Sequence, residues 1–296
     1  MPFTPDHKAM YMHSIYRSSA AKKVILEAYQ EKLESLDLAF QMRKVETSFG
    51  RTNIILTGRE NAPPMVLIHA WNECAPMALE AFSGLFEDFR IYAVDVLGQP
   101  NLSDEDRPSI HGTGYGEWLY EIISLLNLKQ VNLVGVSFGA FIGCKALLHD
   151  SRRIDKAFFI NPMGIIKPGA WDRFIRVHAP IHLFKHWAST VISNWYFQGL
   201  HTGKSAFAKC WTYNLLAHYK WDLEPIPAIS QAQAQLVQIP IYIVGSALDP
   251  LGPGEQILTQ SQHLFPSFTD GLILEHSKHF PNTAGYQQIT SFIKEH

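Results

Sequence analysis

The stretch from Val131 to Ala140 constrains the fold of this chain more than any other segment. It reads Val-Asn-Leu-Val-Gly-Val-Ser-Phe-Gly-Ala, which is an apolar strand, then Gly-Val-Ser-Phe-Gly, then the start of a helix. This order is typical of a nucleophile elbow, a strained turn that exposes a serine hydroxyl at the end of a sheet. Small residues at 135 and 139 would let the strand and the helix approach closely. We therefore predict that Ser137 is a nucleophile rather than an ordinary helix N-cap.

Strands and helices alternate along the rest of the chain. Apolar, β-branched runs predict strands at 41–47, 52–57, 65–69, 91–95, 131–136, 154–160, 239–244 and 272–274. Helical spacing of apolar residues predicts helices at 18–36, 76–86, 116–128 and 284–294. This alternation predicts an α/β fold with a mostly parallel central sheet covered by helices on both faces. Active sites of such sheets lie beyond the carboxyl ends of the strands.

The ends of the predicted strands carry the chemistry that a serine nucleophile needs. A serine hydroxyl must have a base within hydrogen-bond reach, usually a histidine that a carboxylate orients. Asp249 follows the strand at 239–244, and His279 follows the strand at 272–274. The chain order Ser137, Asp249, His279 is that of α/β-hydrolases and differs from the orders of chymotrypsin and subtilisin.

Alternative side chains exist for each role. Asp270 is a rival acid, but it begins a strand instead of following one, and His276 is a rival base that lies nearer the strand. We favour Asp249 and His279. His69 and Asp95 also lie at strand ends, and we interpret both as structural: a buried, hydrogen-bonded imidazole and a carboxylate that positions its loop.

From about residue 41 onward, the chain resembles the α/β-hydrolase fold superfamily. The resemblance rests on His69-Ala70-Trp71, the segment 95–103, Gly135-Val-Ser-Phe-Gly139, Asp249 and His279-Phe-Pro. It implies a nucleophile at Ser137, an acid at Asp249, a base at His279, and an oxyanion hole formed by the N–H groups of Phe138 and Trp71. The family usually has glycine where this chain has Ala70, and we expect a negative φ there because alanine avoids positive φ. The segment 95–103 also lacks the second glycine of the family pattern.

The sheet pattern stops between residues 163 and 234, a segment that holds five of the seven tryptophans. In the superfamily a helical cap is inserted here, so we predict a cap at 163–234. The core is then 41–162 with 235–296, and residues 1–40 form an N-terminal helical extension. Such aromatic density suits an apolar substrate.

His178, His182 and His186 fall four residues apart as metal ligands can, but Pro180 interrupts their helix and no acid completes a site, so we predict no metal.

Charge, hydropathy and cysteine content argue against several classes of protein. A net charge of −2 argues against a nucleic-acid binder, and no apolar run has the length of a transmembrane helix. Three widely spaced cysteines give no disulfide framework, and residues 1–8 lack the apolar core of a signal peptide, so we expect a cytoplasmic protein. We predict a serine hydrolase, a carboxylesterase without a cofactor, that acts on a small apolar ester. The alternatives are carbon–carbon bond hydrolase, lipase, amidase or cofactor-free haloperoxidase chemistry, or a non-catalytic binding protein on this fold.

Overall fold

The computed structural model describes residues 14–296, so the predicted lack of a signal peptide at residues 1–8 lies outside the described part of the chain. Eight strands form one sheet in the order β1-β2-β4-β3-β5-β6-β7-β8. Pairs β1/β2 and β2/β4 are antiparallel, and the other five pairs are parallel. This confirms the predicted α/β fold with a mostly parallel sheet. The strands are β1 Gln41–Thr47, β2 Gly50–Gly58, β3 Pro64–Ile68, β4 Arg90–Val94, β5 Val131–Val136, β6 Ile154–Ile160, β7 Ile241–Ser246 and β8 Phe268–Leu274.

Helices cover both faces of the sheet because alternate side chains of each buried strand point to opposite sides. In β3, Val66 and Ile68 belong to one apolar cluster, whereas Met65 and Leu67 belong to the other. The first cluster includes residues of α3, α4 and α10, and the second includes residues of α1, α2 and α11. These helices are α1 Ser19–Glu34, α2 Ala75–Ala81, α3 Gly114–Leu125, α4 Phe138–His149, α10 Gly254–Leu264 and α11 Thr283–Glu295.

Two predicted elements differ most from the structure in extent, whereas the bounds of the other predicted strands and helices differ from those observed by at most three residues. The helix expected at 76–86 is divided into α2 and a separate 3₁₀ turn at Ser83–Leu85, because Phe82 leaves the helical region with φ −108° and ψ 21°. Strand β8 is longer than the predicted 272–274 and begins at Phe268. It is an edge strand, and its first half is partly exposed, so apolar composition marks only its buried end.

Between β6 and β7 the chain forms a group of helices. They are α5 Ala170–Arg173, a π-helical turn Phe174–His178, α6 Ala179–Trp187, α7 Thr190–Leu200, α8 Ala206–His218 and α9 Gln231–Ala234. Three buried side chains, Ile181, Phe184 and Leu216, give this group a small apolar cluster of its own. Not all of its aromatic side chains pack inward: Trp171 is 70% exposed and Trp187 is 66% exposed.

Within residues 14–296, none of the helices combines the length and the apolar character that crossing a lipid bilayer requires.

Candidate active site

Ser137 lies on a strained turn between β5 and α4, with φ 53° and ψ −106°. Positive φ in a non-glycine residue is uncommon, and such strain concentrates at functional sites. The flanking glycines are sterically required. A Cβ at Gly135 would lie 2.6 Å from the carbonyl oxygen of Gly139, and a Cβ at Gly139 would lie 2.4 Å from that of Ile68. The turn therefore depends on both glycines to aim the serine beyond the end of β5.

The structure brings Ser137, His279 and Asp249 together in one chain of hydrogen bonds. The Oγ of Ser137 lies 2.8 Å from Nε2 of His279, and Nδ1 of His279 lies 2.6 Å from Oδ2 of Asp249. All three side chains are buried. The arrangement fits a hydroxyl that donates to Nε2 and an Nδ1–H that donates to the carboxylate, which is the tautomer needed for a neutral imidazole to act as base.

The rival acid and base lie elsewhere. Asp270 is exposed at the sheet edge, where its Oδ2 is 3.1 Å from Nε2 of the C-terminal residue His296. His276 is exposed in the turn after β8. Neither side chain has a hydrogen bond to Ser137, so neither completes a relay to the serine.

Buried charges set the protonation of His279. Burial alone would lower its pKa, but the charge of Asp249, the hydrogen bond to Asp249 and the charge of Glu73 together outweigh burial and raise the pKa. Burial in turn raises the pKa of Glu73 to about 7. Asp249, and Glu73 when it is ionised, thus favour the imidazolium that forms when His279 takes a proton.

His201 is a second imidazole in this region. Its ring is stacked between Phe197 and Phe280, with centroids 4.2 Å and 4.5 Å away. Burial, aided by the charge of His279, lowers the pKa of His201 to about 3. His201 is therefore neutral in the pH range where His279 titrates. Its ring packs against Phe280, the residue after His279, and does not take up a proton in that range.

The two N–H groups expected to form an oxyanion hole are free. Within residues 14–296, neither the N–H of Trp71 nor that of Phe138 donates a hydrogen bond to the protein. Their rings stack with centroids 5.3 Å apart, which places the two residues side by side. Ala70 is fully buried and is not among the residues with positive φ, so alanine is accommodated without the strain that a positive φ would impose.

The side chains of His69 and Asp95 form hydrogen bonds that hold the segments after β3 and β4 in place. The Nδ1 of His69 lies 2.8 Å from the carbonyl oxygen of Ala70, and its Nε2 accepts from the N–H of Val96. Burial lowers the pKa of His69 to about 4, so its ring is neutral. The carboxylate of Asp95 accepts from the Tyr29 hydroxyl, the Asn53 amide and the N–H of Ala75. It thereby ties α1, β2 and the start of α2 to the end of β4.

Asn161 is a positioning residue that the sequence did not single out. It follows β6 with φ 45°. Its Nδ2 donates to the carbonyl oxygen of His279 at 2.7 Å and to the hydroxyl of Ser246 at 2.9 Å, while its Oδ1 accepts from the N–H of Ser246. One buried amide thus links the loop of the base to the strand that precedes the acid. Its position just after a strand was the available signal.

Ser137, Asp249 and His279 open onto a cavity of about 390 Å³ between the strand ends and the helices that follow β6. This volume is within the range of small-molecule sites. Ser137 and His279 line the cavity, and much of its wall is apolar, including Trp71, Met163, Ile166, Tyr196, Trp221 and Phe280. The cavity can therefore exclude water around a bound apolar group.

The three spaced histidines do not form a metal centre. His182 and His186 are exposed on α6, and His178 belongs to the preceding π-helical turn. In the described part of the chain no three His, Cys, Asp or Glu side chains are grouped as metal ligands would be.

Comparison with known proteins identifies the fold family of this chain. A family model described as the alpha/beta hydrolase fold matches residues 63–283. Two curated proteins of Bacillus subtilis (strain 168) are similar in sequence. One, the uncharacterized carboxylesterase nap, is 28% identical over 142 residues, 48% of this chain and 47% of that protein. The other, carboxylesterase YbfK, is 27% identical over 158 residues, 53% of this chain and 51% of that protein. The chain spans about half the length of the curated relatives it matches.

The fold is also similar to solved structures. The crystal structure of carboxylesterase CesB (YbfK) from Bacillus subtilis superposes with a TM-score of 0.77 and 18% identity. The superposition covers 93% of this chain and 98% of that structure. At this identity the likeness concerns the fold alone, and the chemistry must be argued from the residues of the site.

Proposed function

Since this chain belongs to the α/β-hydrolase fold family, we propose that it is a serine hydrolase that cleaves carboxylic esters of small, mainly apolar substrates. The observation that carries the proposal is the hydrogen-bonded series Ser137, His279 and Asp249 at the base of an apolar cavity. The names of the two Bacillus relatives, both carboxylesterases, support the same reaction.

The geometry supports the following mechanism. The Oγ of Ser137 attacks the ester carbonyl carbon while Nε2 of His279 takes the hydroxyl proton, and a tetrahedral oxyanion forms. Asp249 holds the ring of His279 and stabilises its positive charge. When the intermediate collapses, the bond to the alkoxy oxygen breaks, and His279 gives its proton to the departing alcohol. The acyl group remains on Ser137.

Hydrolysis of the acyl-enzyme uses the same groups. A water molecule gives one proton to Nε2 of His279 and attacks the acyl carbon, and the second tetrahedral intermediate then releases the carboxylic acid and restores the Ser137 hydroxyl. We assign the stabilisation of both oxyanions to the N–H groups of Phe138 and Trp71, because neither donates to an acceptor within residues 14–296. Every proton is accounted for by His279 and the substrates, so the steps call for no cofactor or metal.

The organisation of the substrate site follows from the helices between β6 and β7. We assign residues 163–234 as a cap, because Met163, Ile166, Tyr196 and Trp221 come from this segment and line the cavity above Ser137. The three cysteines are free, which is compatible with the reducing cytoplasm that we propose as its location.

Labelling with a fluorophosphonate tests the proposal most directly. We expect one molecule of label per protein, located on Ser137 by mass spectrometry, together with hydrolysis of p-nitrophenyl butyrate. Ser137→Ala is the matched control and should lose both properties while melting as a folded protein. Stoichiometric label on a different serine, or a folded wild-type protein that neither reacts nor hydrolyses activated esters, would contradict the proposal.

A further inference from the structure

Asn72 directly follows Trp71 in the loop between β3 and α2, and side chains hydrogen-bond to both its N–H and its carbonyl oxygen. Its N–H donates to Oε1 of Gln99 at 2.9 Å, and its carbonyl oxygen accepts from Nε1 of Trp211 at 2.9 Å. Its φ is 61°, a conformation that asparagine and glycine tolerate best. The backbone contacts explain how the residue holds the loop, but none of them uses the side chain.

The side-chain amide of Asn72 has no partner in residues 14–296, although the residue is only 8% exposed. Its Oδ1 is buried without a hydrogen bond. The Nε1 of Trp71, the preceding residue, is also buried without a hydrogen bond. The Nδ2 atom also donates to no protein acceptor but is not fully buried, and Asn72 lines the cavity that holds Ser137. The wall of this cavity thus includes an unpaired amide that is nine-tenths buried and that directly follows Trp71 in the chain.

An unpaired amide in an apolar site has a consequence for ligands. A hydrocarbon placed against Nδ2 would remove water from the amide without replacing its hydrogen bond, which is unfavourable. An acceptor oxygen at the same place would restore the bond. Sites built around such a group discriminate against analogues that lack the matching polar atom.

We propose that Asn72 forms a polar subsite that binds an acceptor oxygen close to the scissile carbonyl of the substrate. The preferred substrates are thus oxygenated esters, with an ether, hydroxyl or carbonyl oxygen in the acyl or the alkoxy part, rather than plain alkyl esters. This inference rests on the proposed ester hydrolysis. It adds a specificity determinant to a cavity whose other walls are largely apolar.

Isosteric ester pairs test the subsite. On the acyl side we compare p-nitrophenyl methoxyacetate with p-nitrophenyl butyrate, and on the alkoxy side 2-methoxyethyl butanoate with butyl butanoate. Within each pair one oxygen replaces one methylene. Because methoxy groups also change intrinsic reactivity, the measured quantity is the ratio of kcat/KM values within a pair, compared between wild type and variant.

Asn72→Gly is the informative variant, because glycine tolerates the positive φ and both fixing hydrogen bonds use the backbone. For one pair, we expect its oxygenated-to-alkyl ratio to fall about fivefold or more below that of wild type. The pair that responds identifies the side of the ester that Asn72 contacts. Asn127→Gly is the matched control, since Asn127 has φ 52° but is exposed in the turn after α3, and its ratios should equal those of wild type.

Asn72→Asp provides a second test, because it keeps the size of the side chain and tolerates the same backbone while replacing the donor by an acceptor. It should lower the same ratio. Thermal melting confirms that each variant is folded. Ratios that stay within twofold of wild type in both folded variants, for both pairs, overturn the subsite. A wild-type protein that hydrolyses none of the four esters contradicts the proposed function instead.

Discussion

The side-chain amide of Asn161 donates a 2.7 Å hydrogen bond to the backbone carbonyl oxygen of His279. Through this bond the end of β6 holds the loop that carries the base, while two further bonds from the same amide hold Ser246 at the end of β7. Asn161 thus holds the loop of His279 against the end of β7 from a third strand.

Asn161→Ala should destabilise the protein by about 3 kcal/mol, because it removes three buried hydrogen bonds of about 1 kcal/mol each. We also expect kcat to fall, since His279 loses a backbone constraint. Chemical denaturation and esterase assays measure the two effects. Asn132→Ala is the control, because Asn132 is buried at the opposite end of the sheet and donates one long bond, to Pro64. Equal kcat losses in both variants would show that Asn161 acts on stability alone.

The identity of the base is tested by replacing each candidate histidine. His279→Ala should lower kcat by roughly 10³-fold or more, because removing a triad member leaves only the oxyanion hole and binding. His276→Ala should have little effect, since His276 is exposed and has no hydrogen bond to Ser137. Steady-state kinetics on p-nitrophenyl butyrate compare them. A larger loss in the folded His276 variant would reverse our assignment.

The pH profile should report the charges around His279. The neutral imidazole is the active form, so kcat/KM falls as pH falls through the pKa of His279, which lies above the ordinary value of about 6.5. Because the charge of Glu73 contributes to raising this pKa, Glu73→Gln should move the acidic limb to lower pH. Glu34→Gln, at the exposed end of α1, is the control. A limb that stays in place or moves to higher pH in Glu73→Gln would contradict this electrostatic account.

Ala70→Gly should give no catalytic gain. Since φ at Ala70 is not positive, glycine relieves no strain and only adds freedom to the unfolded chain, so we expect destabilisation of about 1 kcal/mol with kcat near that of wild type. Activity and melting temperature are measured on the same preparation. A tenfold rise in kcat would mean that alanine distorts the Trp71 N–H after all.

The length of the acyl chain should matter because the cavity is largely apolar and of limited volume. Each buried methylene contributes about 0.8 kcal/mol, or roughly a fourfold gain in binding. For p-nitrophenyl esters kcat/KM should therefore rise from acetate to butyrate or hexanoate and fall once about 390 Å³ is filled. A series that peaks at acetate would indicate a small or polar site. A series still rising at palmitate would indicate a lipase with a mobile lid.

Sequence patterns within a few residues predicted the positions of Ser137, Asp249 and His279. The elbow around Ser137 has a fixed spacing of glycines, and Asp249 and His279 follow apolar strands whose ends meet at one edge of the sheet. The strand order and the depth of the cavity need the folded chain, but the class of fold follows from the alternation of strands and helices.

Asn161 and Asn72 illustrate what the sequence could not specify. An asparagine after a strand or in a loop is common, and its amide becomes informative only when its partners are known. For Asn161 the partners are 85 and 118 residues away along the chain. For Asn72 the informative fact is the lack of a partner in the described chain, which only a three-dimensional structure can reveal.

The close contact at Gly139 has a consequence for how this site can evolve. Its Cα faces the carbonyl oxygens of Ile68 and His69, so the turn bearing Ser137 rests directly on the main chain that leads to Trp71. The spacing between the Ser137 turn and Trp71, whose N–H is the proposed oxyanion donor, is thus set by two backbones in contact. Substitutions in the cavity can change which ester is accepted while leaving that spacing intact. The cavity walls that residues 163–234 supply can therefore change without rebuilding the turn at Ser137, whereas the determinant proposed at Asn72 is tied to the main chain that carries Trp71.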